Sequence, residues 1–220
     1  MRHKLISRKL TNREPEIGAT IEMKTIVFLR HGQTDWNLNG KFQGQQDIPL
    51  NETGQSQARE AAHRWGHTEF DAAIVSPLQR AHDSARIMLR DRHVPCLLDG
   101  KIKETAGGEW EGLLFTEIAE RWPDEHAAFR LPDLDAGPVG GETPRQSGGR
   151  TARAVIEALQ EANVLLVVSH GNAMRAAAHL LLGYADEDYA SVPRLSNCRA
   201  HVLQSDSGEY GSFTLTQTSV

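Results

Sequence analysis

Cysteine is scarce: Cys96 and Cys198 are the only two in 220 residues. Neither has a neighbour at metal-ligand spacing, and two alone do not build a disulfide framework. Zinc ribbons, CxxC redox motifs and stapled secreted miniproteins are excluded, and a reducing, cytoplasmic setting is expected. Long hydrophobic runs are also missing. The longest, Val164 to Val168, falls far short of the roughly 20 apolar residues of a membrane helix, so no membrane partner is expected. Positive charge is not in excess either. Lys and Arg number 24 against 29 Asp and Glu, a formal net charge of -5, which counts against nonspecific nucleic-acid binding. It leaves small anionic substrates open, because a cationic pocket can sit in an acidic protein. Internal repeats, low-complexity tracts and a second hydrophobic core are all absent.

What remains is an ordinary globular composition, 39% hydrophobic and 24% charged, in a chain long enough for one domain with a substantial core. Residues 1–22 are basic (Arg2, Lys4, Arg8, Lys9, Arg13) but lack the apolar centre of a signal peptide. They are read as a disordered extension, with Met23 as an alternative start, and residues 23–220 as a single domain.

Along that domain, apolar runs alternate with helical patterns. Thr25 to Leu29 reads as a buried strand. Thr53 opens a helix whose apolar face is Ala58, Ala61, Ala62 and Trp65. Asp71 to Val75 reads as a second strand leading into Ser76-Pro77-Leu78-Gln79-Arg80, with Ser76 as N-cap and Gln79 completing a capping box. A third strand is expected over Val94 to Leu98. Leu113 to Arg130 reads as helix broken at Pro123, and Leu131 to Gly141 as loop. Thr143-Pro144-Arg145-Gln146 opens a helix ending near Ala162, followed by the strand 164–168 and a helix from Ala173 to Leu182. Two weakly alternating strands close the chain, at Ala200 to Leu203 and Ser212 to Leu215. A homodimer through these tail strands is left open. The order predicts an α/β protein, a three-layer α/β/α sandwich around a mostly parallel central sheet.

Three strand ends then carry unusual side chains: Arg30-His31, Ser76 to Arg80, and Ser169-His170. In open α/β sheets ligands bind beyond the carboxyl ends of the strands. A lone histidine there is more often a hydrogen-bonded structural residue, and a lone arginine a solvated one. Two of each converging from separate strands favour a phosphate-handling site. A phosphate monoester carries about -1.5 to -2 charge at neutral pH. Arginine forks match its oxygens, and nearby guanidinium groups disfavour protonation of His31, keeping its lone pair available.

Other candidates fare worse. His63 and His67 have i,i+4 spacing suited to metal, but no Glu stands beside His63 as in zinc-protease motifs, and the expected helix lies far from the strand ends. No metal and no cofactor is expected. Trp110 and Trp122 are read as packing residues, and Asp186 to Asp188 as a helix start or surface turn.

The string Arg30-His31-Gly32-Gln33-Thr34-Asp35-Trp36-Asn37, followed in order by Gln43-Gly44, Ser76 to Ala81, Glu104 to Gly112, Ser169-His170-Gly171 and Asn197, resembles the histidine phosphatase superfamily, the phosphoglycerate mutase-like family. The resemblance runs from about Lys24 to Leu203. It implies a phosphoglycerate mutase-like fold. His31 would be the nucleophile that becomes a phosphohistidine, and Arg30, Arg80 and His170 would bind the transferring phosphoryl group. Glu104 would be the proton donor, with Glu109 and Glu111 as nearby competitors and Glu111, inside the Trp110-Glu111-Gly112 string, read as supporting the loop. Asn37, Gln43, Gly44 and Asn172 would line the substrate side. The short span from Glu104 to His170 and the Glu104-Thr105-Ala106-Gly107-Gly108 context look like the small phosphatase branch. The implied activity is metal-independent hydrolysis of a small phosphorylated metabolite. Phosphoglycerate mutase is the runner-up, and a noncatalytic phospholigand or partner-binding module is the alternative of another class. Gly107, where a bulkier residue is common, is expected to loosen the loop that carries Glu104.

Overall fold

A computed structural model describes residues 23–219; the N-terminal extension read from the sequence lies outside them. The strands are β1 (Lys24–Arg30), β2 (Ala72–Val75), β3 (Cys96–Leu98), β4 (Val164–Ser169), β5 (Ala200–Ser205) and β6 (Thr214–Thr218). The helices are α1 (Asp35–Leu38), α2 (Glu52–Arg64), α3 (Gln79–Met88), α4 (Phe115–Arg121), α5 (Pro123–Arg130), α6 (Pro144–Leu159) and α7 (Gly171–Leu182). They build one six-stranded sheet in the order β3-β2-β4-β1-β5-β6. The first four strands run parallel, β5 pairs antiparallel with β1, and β6 pairs antiparallel with β5 at the edge.

Strand periodicity explains the three layers. Side chains alternate across the pleat, so Ile26, Phe28, Leu165 and Val167 face one way and pack with Val155, Leu159, Ala177 and Leu181 of α6 and α7. Val27, Leu29, Leu166 and Val168 face the other way and pack with Ala58, Ala61, Ala81 and Ala85 of α2 and α3. Strands buried on both faces read as unbroken apolar runs, as β1 and β4 do. Each such side chain, fully buried, contributes about 1.5–3 kcal/mol. The small residues Ala58, Ala61, Ala81 and Ala85 bring α2 and α3 close to the sheet. A third cluster, Phe42, Trp110 and Ile118, packs edge-to-face beneath the loops, which confirms Trp110 as a packing residue.

Several boundaries differ from expectation. Ser76 does not cap α3: the N-cap is Leu78, which makes no side-chain cap bond, because the Ser76 hydroxyl is engaged with His170. β3 is only three residues long and exposed along its length. α6 ends at Leu159, and α7 begins at Gly171, two residues early, directly after His170. α2 stops at Arg64, so His67 falls in the following turn and the i,i+4 pair never shares a helix. The capping box at Thr143 is present, with Pro144 at the first helical position. Asp186–Ser191 forms a 3-10 turn.

Candidate active site

Parallel pairing of β1 with β4 sets Arg30 beside Ser169, so the residues that follow, His31 and His170, leave the sheet together. Their ring centroids lie 5.2 Å apart. β2 pairs with the other side of β4, which brings Ser76 and the first turn of α3 to the same edge. The carboxyl ends of β1, β4 and β2 therefore meet at one edge of the sheet.

His31 is nearly fully buried. Its Nδ1 lies 2.6 Å from the Gly32 carbonyl. A carbonyl only accepts, so Nδ1 carries the proton and Nε2 keeps its lone pair. The backbone is held in turn: Asn197 Nδ2 donates to the His31 carbonyl at 3.0 Å, and the Cys198 N–H donates to the Arg30 carbonyl at 3.0 Å. His170 Nε2 lies 2.8 Å from the Ser76 hydroxyl, and that hydroxyl accepts from the Leu78 N–H at 3.4 Å. The Ser76 proton can therefore go to Nε2, leaving Nδ1 of His170 as an N–H donor.

Both arginines are fastened by part of their fork. Arg30 Nη1 donates to the Leu195 carbonyl at 2.6 Å. Arg80, fully buried, donates from Nη1 to Gln46 O at 2.6 Å and from Nη2 to Gly44 O at 2.8 Å. Gly44 lies in the left-handed region at φ 51°, and a Cβ there would come 2.1 Å from Glu111 Oε1, so glycine is required for its carbonyl to face Arg80. Arg30 Nε, Arg80 Nε and His170 Nδ1 are all buried without a hydrogen-bond partner. Orphaned buried donors are rare and costly; these three belong to the two arginines that act on the His31 imidazole and to the ring beside it.

The electrostatics follow from this crowding. Burial, reinforced by Arg80 and Arg30, holds the His31 imidazole well below its ordinary value. Burial and then Arg80 do the same to His170. Burial lowers Arg80 to about 10, opposed by Glu104 and Asp47, and lowers Arg30, again opposed by Glu104. The result is two neutral imidazoles among two cations. Both imidazoles titrate below 6.5 when folded and near 6.5 when unfolded. As pH falls through that value the unfolded chain binds protons first, so stability drops by about 1.4 kcal/mol per histidine per pH unit until the folded imidazoles protonate. Urea midpoints measured from about pH 7.5 to about pH 5.5 should fall steeply below neutrality; a flat profile would contradict buried neutral imidazoles.

Glu104 enters from the loop between two 3-10 turns, Gly100–Ile102 and Gly108–Trp110, that lie between β3 and α4. Its Oε1 accepts from Thr105 N at 2.8 Å and Ala173 N at 3.0 Å, and its Oε2 from Asn172 N at 3.3 Å. The carboxyl group thus rests on the first turn of α7. The loop around it is not loosened by Gly107, contrary to expectation. A Cβ there would lie 2.6 Å from Glu111 Cγ and 2.7 Å from Phe42 Cε1, so glycine permits a closer fit. Glu111 does support the loop, accepting from Gln45 N and Gly107 N at 2.8 and 2.9 Å.

These groups face a cavity of about 390 Å³ lined by Arg30, His31, Asn37, Gln43, Gly44, Arg80, Glu104 and Asn172. His170 is not among the lining residues; its ring lies directly behind them, beside His31. Asn37 doubles as a cap, its Oδ1 accepting from Thr34 N at 3.2 Å, and Gln43 Oε1 accepts from the Thr34 hydroxyl at 3.0 Å. Sequence reasoning missed Trp36, Lys41, Phe115 and Arg194, which also line the cavity, and the engagement of Ser76 with His170. Lys41 lies two residues before Gln43 and could have been found by proximity. Arg194 and Phe115 carry no local signal. Among the described residues, no three His, Cys, Asp or Glu side chains form a group that could hold a metal ion, and no helix is long and apolar enough to cross a membrane.

An α/β sandwich with paired imidazoles and arginines at the sheet's carboxyl edge defines a phosphate-ester enzyme of the phosphatase and mutase type. The chain matches the histidine phosphatase superfamily (branch 1) over residues 26–217 and belongs to it. It is 36% identical over 166 residues to a metal-independent phosphoserine phosphatase of Arabidopsis thaliana, covering 73% of this chain and 70% of that one. It is 33% identical over 161 residues to a 2,3-bisphosphoglycerate-dependent phosphoglycerate mutase of Gloeobacter violaceus, covering 70% and 74%. Its fold matches a mycobacterial glucosyl-3-phosphoglycerate phosphatase solved with VO3, at TM-score 0.78 and 28% identity over 87% of this chain and 96% of that one.

Proposed function

We propose that this phosphatase hydrolyses a small phosphorylated metabolite in the cytoplasm, without a metal, through a phosphohistidine on His31. The observation that carries the reading is the set of three orphaned donors, Arg30 Nε, Arg80 Nε and His170 Nδ1, beside a neutral imidazole. A phosphoryl group supplies the acceptor oxygens they lack. Nε2 of His31 attacks phosphorus as the bond to the leaving oxygen breaks, and Glu104 delivers its proton to that oxygen. Water then attacks phosphohistidine, giving its proton to Glu104, and phosphate and free imidazole result. The guanidinium groups stabilise the equatorial oxygens, the task a metal performs elsewhere. Rapid acid-free quenching during turnover should trap a base-stable, acid-labile phosphoenzyme that maps to His31, with phosphate release blocked by vanadate and unaffected by a chelator. Label on any other residue would overturn the reading.

The leaving group is best matched by an anion. Among the described residues, the cavity is lined by the cations Arg30, Lys41, Arg80 and Arg194 against one carboxylate, Glu104. Lys41 and Arg194 form no ion pair among the described residues, and the Lys41 ammonium lies 5.5 Å from the Trp36 ring centroid. The phosphatase relatives' names specify phosphoserine and a glucosyl phosphoglycerate, both carboxylates. Phosphoglycerate should be turned over with kcat/KM about tenfold above glycerol phosphate, a difference of ~1.4 kcal/mol. Lys41→Gln and Arg194→Gln should erase that preference while leaving glycerol phosphate hydrolysis intact. Equal loss on both esters would place these cations outside leaving-group recognition.

The mutase reading rests on relatives of that name. Incubation with 3-phosphoglycerate and bisphosphoglycerate decides it: phosphate release should outrun isomerisation.

A further inference from the structure

The proton donor's loop is pinned by one guanidinium. Arg150, in the second turn of α6, uses all five of its N–H groups. Nε and Nη2 grip Glu142 bidentately at 2.8 and 2.7 Å. Nη1 donates to the carbonyls of Lys101 and Lys103 at 2.7 and 2.8 Å, and Nη2 to that of Glu104 itself at 2.7 Å. Glu142 completes the grip from the other side. Its Oε2 accepts from Ala106 N at 2.9 Å, and its N–H donates to the Ala106 carbonyl at 3.0 Å. Backbone groups before, at and after Glu104 are therefore fixed by a single ion pair. That pair is about three-quarters buried, with side-chain exposures of 22% and 25%.

The clasp does more than hold a loop. α6 and α7 pack so closely that a Cβ on Gly148 would fall 2.6 Å from Ala176 Cβ, and the Glu104 carboxyl group rests on the first turn of α7. Arg150 therefore ties the backbone of the proton donor to the packed pair α6 and α7, which flank β4 and His170 in the chain. We infer that Arg150, held by Glu142, is a positioning residue that sets where Glu104 meets the leaving oxygen. This rests on Glu104 being the proton donor. Neither residue lines the cavity, so the pair does not touch substrate and its hydrogen bonds reach the site through the Glu104 segment. Lysine cannot replace the fork, because an ammonium has three donors and no planar geometry.

The distinguishing readout is leaving-group dependence. A proton donor matters for poor leaving groups and hardly at all for good ones. We would measure kcat/KM over a series from dinitrophenyl to simple alkyl phosphates for wild type, Glu104→Gln, Arg150→Gln, Arg150→Lys and Glu142→Gln. Glu104→Gln should lose about 10²–10³-fold on alkyl esters and under about threefold on dinitrophenyl phosphate. Arg150→Gln should show the same tilt, about 10²-fold at the alkyl end, with Glu142→Gln and Arg150→Lys between it and wild type. If Glu104→Gln shows no tilt, the proton-donor reading itself fails. If it tilts while the clasp variants lose activity evenly across the series, or none of the three folds, the pair is merely structural and the inference is overturned.

Discussion

His31→Ala should lower kcat/KM on every phosphomonoester by about 10⁵-fold or more, the scale seen when a covalent nucleophile is removed. The loss should be uniform across leaving groups, because no ester bypasses the imidazole. Binding should survive. The three orphaned donors belong to Arg30, Arg80 and His170, and none depends on His31 for its position, so inorganic phosphate should bind the variant within a few-fold of wild type. The variant should also be less acid-sensitive than wild type, since one of the two imidazoles held neutral by burial and by Arg80 and Arg30 is gone. More than about 1% residual activity with phosphate binding intact would show that another group attacks phosphorus.

Arg80→Ala should cost about 10³–10⁴-fold in kcat/KM, more than the loss of a single neutral donor, because it removes a buried charge as well as a donor. It should also destabilise the protein by about 2–4 kcal/mol, since Gly44 O and Gln46 O lose their partner. Arg80→Lys should recover less than about tenfold, an ammonium being unable to hold both carbonyls and a phosphoryl oxygen in one plane. Arg80 is, after burial, the largest cause of the low His31 pKa, so its removal should raise that pKa and move the acidic limb of activity to higher pH. Arg145 is the control. Its bonds to Asp135 and Asp186 lie at the surface, where pairs are worth about 0–1 kcal/mol, and Arg145→Ala should leave activity within about twofold. Comparable losses in the two variants would mean that Arg80 is no more than a structural cation.

How much of this was legible varied with the range of the cause. Elements whose reason is local were readable. The apolar runs of β1 and β4 announce strands buried on both faces, and Thr143-Pro144-Arg145-Gln146 announces a capped helix start, because pleat and cap act within a few residues. Ser76 shows the failure of the same logic. Its context is that of an N-cap, yet the hydroxyl is 94 positions from its actual partner His170, and a long-range bond outcompeted the local one. Gly107 misled for a similar reason: it reads as a loosening residue until Phe42 and Glu111 are seen against it. His67 lost its place on α2 because that helix stops at Arg64.

The residue string by itself determined an α/β sandwich, the strand-end placement of Arg30, His31 and His170 with Arg80 in the helix turn that follows β2, and membership of a family whose motifs recur in order. Those properties follow from periodicity and from groups that sit at, or one short turn beyond, the ends of their own strands. Tertiary structure alone decided which nitrogen of His31 is free, that Arg30 and Arg80 each keep an unpartnered Nε, that Lys41 and Arg194 reach the same cavity, and that Arg150 clasps the Glu104 loop. The His31 nitrogen is set by the neighbouring Gly32 carbonyl, a contact only the folded backbone shows; the unpartnered Nε atoms, the reach of Arg194 and the Arg150 clasp depend on hydrogen bonds and packing between segments far apart in the chain, which no local pattern encodes.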